Sequence, residues 1–426
     1  MIRYTIYSGT NTWQECELAL RLLWHGRELD AGPHIQAYER RFAEAAGTEF
    51  AFSFASGRMG LYAMLEALKI GPGDEVIVPA FTCVVVPNAI LYRGARPVYV
   101  DIGPRTFNID VQKIEEKITH KTKAILAQHT FGLVCDIDAI AEIAERYGIT
   151  VIEDGAHALG AAHGGRAVGS LTRVAFFSTD HSKVISTSTG GMVTTSDPDL
   201  ARTLAAMQAG TPFLSRRRIR AILATFVAEY LLFHPGLYPV GKYAHGVLSK
   251  LRLWPYFYDE LSLTKPARYP YPARLSNAQA QIGLSQLALL DANLTWRRRL
   301  AKHYEAWIGA YQGLLNSDGS NHAFLRYTFL VDHRDAWEKH FSPVLDMGVW
   351  FRTIAGGRDH NLDEIGYAPG SCPVAEEVAR HCVNLPTHQR IRRPDLLVER
   401  LRRARERPDP RLELHFSPAS GAGRPT

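Results

Sequence analysis

Cysteine is scarce in this sequence. The chain has five cysteines among 426 residues, and no two of them form a CxxC pair. This scarcity argues against a disulfide framework and against a zinc site, and it favours a reducing compartment. The first residues contain no apolar run that would serve as a signal peptide. We therefore expect a cytoplasmic protein without a metal site.

A strong excess of one charge is also lacking over most of the chain. The 49 basic and 43 acidic residues give a formal net charge of +6. Residues 388–426 hold ten arginines against five acidic residues, so most of the excess lies in this last stretch. Because no basic stripe interleaved with aromatic residues runs through the remainder, we expect no nucleic-acid partner.

Between residues 50 and 195, short β-rich runs alternate with segments of helical periodicity. Strands are predicted at 75–78, 97–102, 123–127, 150–153, 174–178 and 192–195. Apolar residues recur at three- and four-residue spacing in 58–69, 110–118 and 136–147, which predicts helices there. This alternation predicts an α/β fold with a largely parallel central sheet. Ligands of such sheets bind at the carboxyl ends of the strands, so polar residues just after the strands are the candidates for function.

The alternation stops at 205–271, which reads as an insertion. Here the basic cluster RRRIR precedes the apolar run AILATFVAEYLLF. This run contains Glu229 and is shorter than the roughly 20 residues needed to span a bilayer. We favour a buried helix or an oligomer contact. The alternative is a helix on the inner face of a membrane, with Arg216, Arg217 and Arg218 near the lipid headgroups.

The remaining sequence predicts a second, smaller domain. A long helical pattern covers 277–308, and the mixed segment 326–386 predicts a small α+β unit. The chain therefore divides into a large domain at 1–276, an interdomain helix with a small C-terminal domain at 277–404, and a tail at 405–426. The tail is rich in Arg, Pro, Gly and Ser, so we expect it to be mobile.

Polar clusters follow several predicted strands. Ser56 and Gly57 precede a predicted helix, where they either cap it or offer backbone N–H groups to a phosphate. Glu153 and Asp154 end a strand, where a carboxylate can cap a helix, pair with a cation or hold a protonated ring nitrogen. Lys183 lies in a polar loop after a strand, either as a surface lysine or as an amine that forms a Schiff base.

In their order and spacing, these features resemble the DegT/StrS family of pyridoxal-phosphate-dependent sugar aminotransferases. The resemblance covers roughly residues 32–401. Its specific parts include SGxxxLxxxLxALxIGPGDEVIVPxFT at 56–82, GxxPVxVDI at 94–102, HTFG at 129–132 and DIDAIAEIAERYGITVIEDGAHALGA at 136–161. It continues with FSTDHSKVISTSTGGMV at 177–193, RLSNxQAxIGLxQL at 274–287 and CPVAEEVARHCVNLP at 372–386.

The resemblance implies a fold-type I enzyme that uses pyridoxal 5'-phosphate and works as a homodimer. Lys183 falls on the catalytic lysine that binds the cofactor covalently. Asp154 falls on the carboxylate that pairs with the pyridine nitrogen, which keeps the ring able to accept electrons. Arg274 matches an arginine that the family brings toward the active site of the partner subunit. The family's phosphate ligands fall on Ser178 and on the backbone N–H groups of Gly57, Arg58 and Met59.

Five positions depart from the family's usual residues. Arg58 replaces Thr in the phosphate turn, and His157 replaces Gln beside the cofactor's phenolic oxygen. Cys83 replaces a ring that stacks on the cofactor, a role left absent or taken by a neighbour such as Phe81. The remaining departures are Asp180, which stands in place of His, and Pro272, which stands in place of Asn.

The implied reaction moves an amino group from L-glutamate to a keto sugar, expected to be nucleotide-linked, for cell-surface polysaccharide or secondary-metabolite biosynthesis. A pyridoxal-phosphate-dependent sugar dehydratase is the nearest alternative, but such enzymes carry His in place of the lysine. A non-catalytic cofactor-binding regulator or membrane-associated protein is the second alternative.

Overall fold

A seven-stranded sheet lies at the centre of the molecule. The computed structural model describes residues 2–7, 9–26, 28–251, 254, 261–308, 320–348, 350–406 and 411–414. The strands, numbered along the chain, are β1 (Phe50–Phe54), β2 (Glu75–Pro79), β3 (Thr82–Cys83), β4 (Arg96–Val100), β5 (Thr122–Gln128), β6 (Thr150–Asp154), β7 (Ala162–His163), β8 (Arg166–Ala167), β9 (Val174–Ser178), β10 (Gly191–Thr195), β11 (Arg326–Leu330), β12 (Ala355–Gly356) and β13 (Cys382–Pro386).

The central sheet is largely parallel, as predicted. Its order is β1-β10-β9-β6-β5-β2-β4, and β10 alone runs antiparallel to its two neighbours. The strands are buried almost throughout, because helices cover both faces, and this explains their continuous apolar runs. The six predicted strands are confirmed to within two residues at each end.

Helices surround this sheet and form most of the smaller domain. They are α1 (Trp13–His25), α2 (His34–Ala46), α3 (Gly57–Ala67), α4 (Val85–Tyr92), α5 (Ile137–Tyr147), α6 (Pro198–Gly210), α7 (Arg216–Leu232), α8 (Tyr238–Lys250), α9 (Asn277–Ala288), α10 (Leu290–Ile308), α11 (Arg334–Phe341), α12 (Pro373–His381) and α13 (Pro394–Arg405). The pattern at 277–308 is therefore two helices, α9 and α10, rather than one.

The predicted helix at 110–118 is wrong. The segment forms two 3₁₀ turns, at Val111–Lys113 and Glu115–Lys117. The Asp110 carboxylate accepts a hydrogen bond from the N–H of Gln112, which closes a tight first turn. With so few residues, the segment gains too few helical hydrogen bonds to offset the cost of nucleating an α-helix.

The apolar run of the insertion is buried. Ile222, Leu223 and Phe226 of α7 lie in the core of the large domain, where each is at most 2% exposed. Arg216 pairs with Asp30. The favoured interpretation of a buried helix is confirmed for this run, since these apolar side chains lie in the core and not on a surface that a membrane could reach. Within the described ranges, no helix is both long enough and apolar enough to cross a membrane.

The smaller domain is built on the antiparallel pair β11–β13, packed against α10, α11 and α13. Much of the segment between these strands does not belong to it, which differs from the prediction of one small domain at 326–386. β12 pairs with β3 of the large domain, and the Asp101 carboxylate accepts hydrogen bonds from the N–H groups of Val374 and Ala375. Residues 351–381 therefore pack with the large domain, and several of them lie in its core.

Part of the expected mobile tail is packed. Leu412 is buried in the core of the smaller domain, and Leu414 bridges to Val331 beside the end of β11. For residues 411–414 the expectation of mobility is therefore wrong. Residues 407–410 and 415–426 lie outside the described residues.

Candidate active site

A cavity opens at the carboxyl ends of the parallel strands, where the sequence placed its candidate residues. Six of the eight predicted cofactor-binding residues line it, namely Gly57, Arg58, Asp154, His157, Ser178 and Lys183. Met59 and Arg274 do not. The segments after β1, β2, β6 and β9 each contribute to its walls, and so does Trp350 from the C-terminal half of the chain.

The first turn of α3 forms one wall of this cavity. Ser56 caps the helix, and its hydroxyl accepts a hydrogen bond of 3.3 Å from the N–H of Met59. That donor is therefore already bonded within the turn, and the role of Met59 as a phosphate ligand stays a prediction. Gly57 and Arg58 begin the helix at the cavity wall, where the helix dipole favours an anion.

Two glycines allow the turn to pack closely against the sheet. A side chain at Gly191 would place its Cβ 2.4 Å from the Cα of Gly57, and one at Gly57 would lie 2.9 Å from the Cβ of Ser178. No real Cβ atom tolerates such distances, so the turn needs glycine at both positions. This close approach sets Ser178, at the end of β9, beside the helix N-terminus.

Asp154 and Glu153, adjacent at the end of β6, have separate environments. Glu153 accepts hydrogen bonds of 2.8 Å from the backbone N–H groups of Gly169 and Thr172, so it is a structural carboxylate. Asp154 lines the cavity, and one of its oxygens accepts a hydrogen bond of 3.0 Å from the N–H of Ala156. Burial raises the pKa of Asp154 to about 6, although the positive charge of Lys183 opposes the rise.

Lys183 lies in the loop between β9 and β10, with its side chain in the cavity. The Lys183 N–H donates to the Asp180 carbonyl, and the Lys183 carbonyl accepts from the Thr10 hydroxyl, so both sides of its backbone are held. Its Nζ lies 5.1 Å from the centre of the Trp350 ring. Burial lowers the pKa of Lys183, which favours the neutral, nucleophilic amine.

His157 is held as a neutral imidazole between two aromatic rings. It stacks on Phe131 at 5.9 Å and on Trp350 at 5.7 Å between ring centres. Its Nδ1 accepts a hydrogen bond of 3.2 Å from the Phe131 N–H, which leaves the proton on Nε2 as a donor. Burial holds the pKa of His157 well below its usual value.

Asp180 and His181 form a half-buried ion pair at the rim of the cavity. The His181 Nδ1 lies 2.5 Å from an Asp180 oxygen, and the His181 N–H donates to the same oxygen at 2.7 Å. Burial opposes both charges, yet His181 lowers the pKa of Asp180 and Asp180 raises that of His181 to about 9. Asp180, which stands in place of the family's usual His, therefore pairs with the cation of the next residue, His181.

The aromatic ring beside Lys183 is not the one that the sequence suggested. Phe81 is buried and packs against Phe351, with ring centres 5.3 Å apart, so it does not supply the ring missing at Cys83. The ring beside Lys183 is instead that of Trp350, which also lies under the Arg326 guanidinium at 5.1 Å. Both residues come from the C-terminal half of the chain, so no local motif marks them.

Arg274 lies away from the cavity of its own chain. Its backbone bridges to Phe54 and Phe213, and its guanidinium lies 4.6 Å from the centre of the Phe213 ring. Among the described residues its Nε has no hydrogen-bond partner. The preceding Tyr271–Pro272 peptide is cis.

The donor set of the cavity fits pyridoxal phosphate. A buried carboxylate suits a protonated ring nitrogen, an amine suits an aldehyde, and an imidazole N–H suits a phenolic oxygen. The glycine turn of α3, which a Cβ would fill, suits a phosphate. In the described part of the chain, His, Cys, Asp and Glu side chains form no group of three or more able to hold a metal ion.

Comparison with known proteins agrees with this geometry. The model of the DegT/DnrJ/EryC1/StrS aminotransferase family matches residues 12–218 and 248–401. The chain belongs to this family. It is therefore an aminotransferase, with the α/β fold that its sequence predicted.

Two similar relatives are named as synthases of the nucleotide sugar GDP-perosamine. The GDP-perosamine synthase of Escherichia coli O157:H7 is 43% identical over 383 residues, which cover 90% of this chain and 92% of that one. The GDP-perosamine synthase of Caulobacter vibrioides is 32% identical over 374 residues, or 86% and 88% of the two chains. The crystal structure of S. venezuelae DesV superposes with a TM-score of 0.71 at 28% identity, covering 93% and 95% of the chains.

The segment 219–247, between the two ranges matched by the family model, builds a second cavity. It has a volume of about 470 Å³ and shares Tyr7 and His181 with the first cavity. α7 and α8 form one side of it, and the smaller domain forms the other. Its lining mixes aromatic and charged side chains, including Phe233, Tyr238, Lys242, His245, Asp346 and Arg352.

Proposed function

We propose that this aminotransferase binds pyridoxal 5'-phosphate in the first cavity and exchanges the amino group of L-glutamate for the oxo group of a nucleotide-linked keto sugar. The products are 2-oxoglutarate and an amino sugar for cell-surface polysaccharide or secondary-metabolite biosynthesis. The observation that carries the proposal is the meeting of Lys183 and Asp154 in one buried cavity beside the N-terminus of α3. The names of the GDP-perosamine synthases support a nucleotide-sugar substrate.

Each residue of the cavity has a task in this proposal. The bound cofactor supplies a ring that accepts electrons. Asp154, ionised above a pH of about 6, balances the positive charge of the ring nitrogen. Lys183 binds the cofactor and then, as a free amine of lowered pKa, moves the proton at the substrate's Cα. His157 donates its Nε2 proton toward the phenolic oxygen.

The proposal includes a cytoplasmic homodimer whose sites lie at the subunit interface. The five cysteines are all free thiols, which suits a reducing compartment. Arg274 is placed outside its own cavity, so we assign it to the partner's active site. The dehydratase alternative is disfavoured by Lys183, since such enzymes have His there, and the regulator alternative predicts no turnover.

The visible absorption spectrum before and after addition of L-glutamate tests the proposal. A cofactor band that bleaches on addition of L-glutamate supports both the cofactor and the donor. Lys183→Ala should lower turnover by at least about 10²–10⁴-fold, because it removes the group that transfers the proton. Lys339→Ala, which removes an exposed lysine of α11, is the matched control and should be active. Full activity of the Lys183→Ala protein would refute the assignment.

A further inference from the structure

α8 carries an apolar stripe on the outside of the molecule. The five side chains of this stripe, which lie in α8 and just before and after it, are between 40% and 76% exposed. The stripe consists of Leu237, Val240, Tyr243, Val247 and Leu251. Apolar side chains at this density are normally buried, so the stripe indicates a surface that something else covers.

The spacing of these residues places them on one face. At 100° per residue they fall within a sector of about 120°, the width of the face that a helix usually turns toward a core. The opposite face of α8 is the polar one: Tyr238, Lys242 and His245 line the second cavity. The helix is thus amphipathic, but its apolar face points away from the protein.

α8 is firmly attached to the protein. Asp346 of the smaller domain accepts hydrogen bonds from the Tyr238 hydroxyl and from Lys242, the latter at 2.9 Å. At Gly241, a Cβ would lie 1.8 Å from the carbonyl oxygen of Leu232 in α7. The stripe is therefore a fixed surface of the folded protein and not the side of a loose segment.

The charges around the stripe select the surface that covers it. Residues 230–258 contain no Asp or Glu, and the exposed cation Lys250 lies at the edge of the stripe, whereas Lys242 lies on the opposite face and pairs with Asp346. A second copy of the chain, packed symmetrically through the stripe, would bring both copies of Lys250 to one interface, where no carboxylate of residues 230–258 could pair with them. A bilayer with anionic lipids offers an apolar interior and negative headgroups together, which matches an apolar stripe with a lysine at its edge.

We propose that α8 docks this enzyme on the surface of an anionic lipid bilayer, with the stripe among the acyl chains and Lys250 at the headgroups. Most of the stripe lies at 219–247, between the ranges that the family model matches, so it is an addition to the shared fold. The proposal concerns a different surface from the reaction cavity and does not depend on the substrate. Within 205–271, the membrane contact that the sequence offered as an alternative is thereby assigned to α8 and not to the buried α7.

Co-sedimentation of the full chain with vesicles tests this proposal. We expect binding to vesicles of phosphatidylcholine and phosphatidylglycerol in a 7:3 ratio, and weak binding to phosphatidylcholine alone. The double variant Val240→Glu, Val247→Glu should need at least about tenfold more lipid for half binding, because each change removes a buried apolar side chain and adds an anion. Tyr147→Glu with Leu396→Glu adds the same charge at other exposed apolar sites, and this control should bind normally.

Two further measurements complete the test. Amino transfer to soluble substrates should be the same in the α8 variant and the control, so a failed reaction and a failed membrane contact are told apart. Binding that is equal in the two double variants would overturn the proposal, as would no binding to either vesicle. Gel filtration supplies the remaining outcome. If the wild type and the control form an assembly that the α8 variant does not form, the stripe is a contact between protein chains, and this too would overturn the proposal.

Discussion

At the scale of residues, the carboxylates of Glu153 and Asp154 show that two neighbours on one strand can have different roles. Their side chains alternate across the sheet, so one meets backbone N–H groups and the other meets the cavity. Asp154 is only 4% exposed and its pKa is raised, which means that the folded protein holds its charged form at a cost. A cation bound beside Asp154 would offset that cost, because it stabilises the charged carboxylate.

Asp154→Asn should therefore stabilise the cofactor-free protein at pH 8. Because the pKa is raised from 3.8 to about 6, the folded state binds more protons than the unfolded state in this interval, so stability falls as pH rises through it. The full difference is up to about 3 kcal/mol at pH 8 and vanishes below a pH of about 4. Urea unfolding of the variant and of the wild type, at pH 8 and at a pH of about 4, measures this difference in stability. The exposed Asp363→Asn is the control. An Asp154→Asn protein less stable than the wild type at pH 8 would contradict the reasoning.

The same residues mark how far the sequence alone reaches. The motif at 150–156 offered both carboxylates with several roles, and only the hydrogen bonds of Glu153 separate them. Trp350 was out of reach, since nothing in its neighbours indicates that it stacks on His157. The hydrogen bond from the Met59 N–H to the Ser56 hydroxyl was also out of reach, because spacing does not give the orientation of the Ser56 side chain.

At the scale of elements, the contact between α3 and the strand pair β9–β10 forms the proposed phosphate site. The geometry of this contact depends on Gly57 and Gly191, which allow main-chain atoms of the helix and the strand to approach each other closely. Gly191→Ala should destabilise the protein by about 1–3 kcal/mol and weaken cofactor binding, because the added Cβ meets main chain that cannot move aside cheaply. Gly246→Ala in α8 has open space and should instead stabilise by about 0.4–1 kcal/mol. Thermal melts and cofactor titration of both variants decide this.

Elements with strong patterns were predictable and weak ones were not. The strands at the cavity follow apolar runs that alternate with helical segments, whereas β1 was not predicted, although its five residues equal the length of β2, β6 and β9. The segment at 110–118 has helical spacing but not the length to sustain a helix. α7 was correctly assigned as buried, because Glu229 and its short apolar run exclude a membrane span.

At the scale of the whole molecule, chain order does not give domain membership. Residues 351–381 lie between two strands of the smaller domain, yet they pack on the large one. The consequence is a cavity whose walls come from both halves of the chain. The expected subunit interface would add a third contribution, from Arg274.

A mixing experiment tests that interface. Lys183→Ala and Arg274→Ala chains should each be inactive alone, and an equal mixture should recover about a quarter of wild-type activity if Arg274 serves the partner. Half of the dimers would then pair one chain of each kind, and each of these has one intact site. A mixture as inactive as its components would place Arg274 in its own subunit's chemistry or in none.

α8 separates two surfaces, since Tyr238 and His245 face the second cavity and Val240 and Val247 face outward. Its thickness, about 10 Å with side chains, then sets the height of that cavity above whatever lies beneath the helix. On a bilayer, the second cavity would therefore lie about 10 Å above the acyl chains, near the outer edge of the headgroup layer.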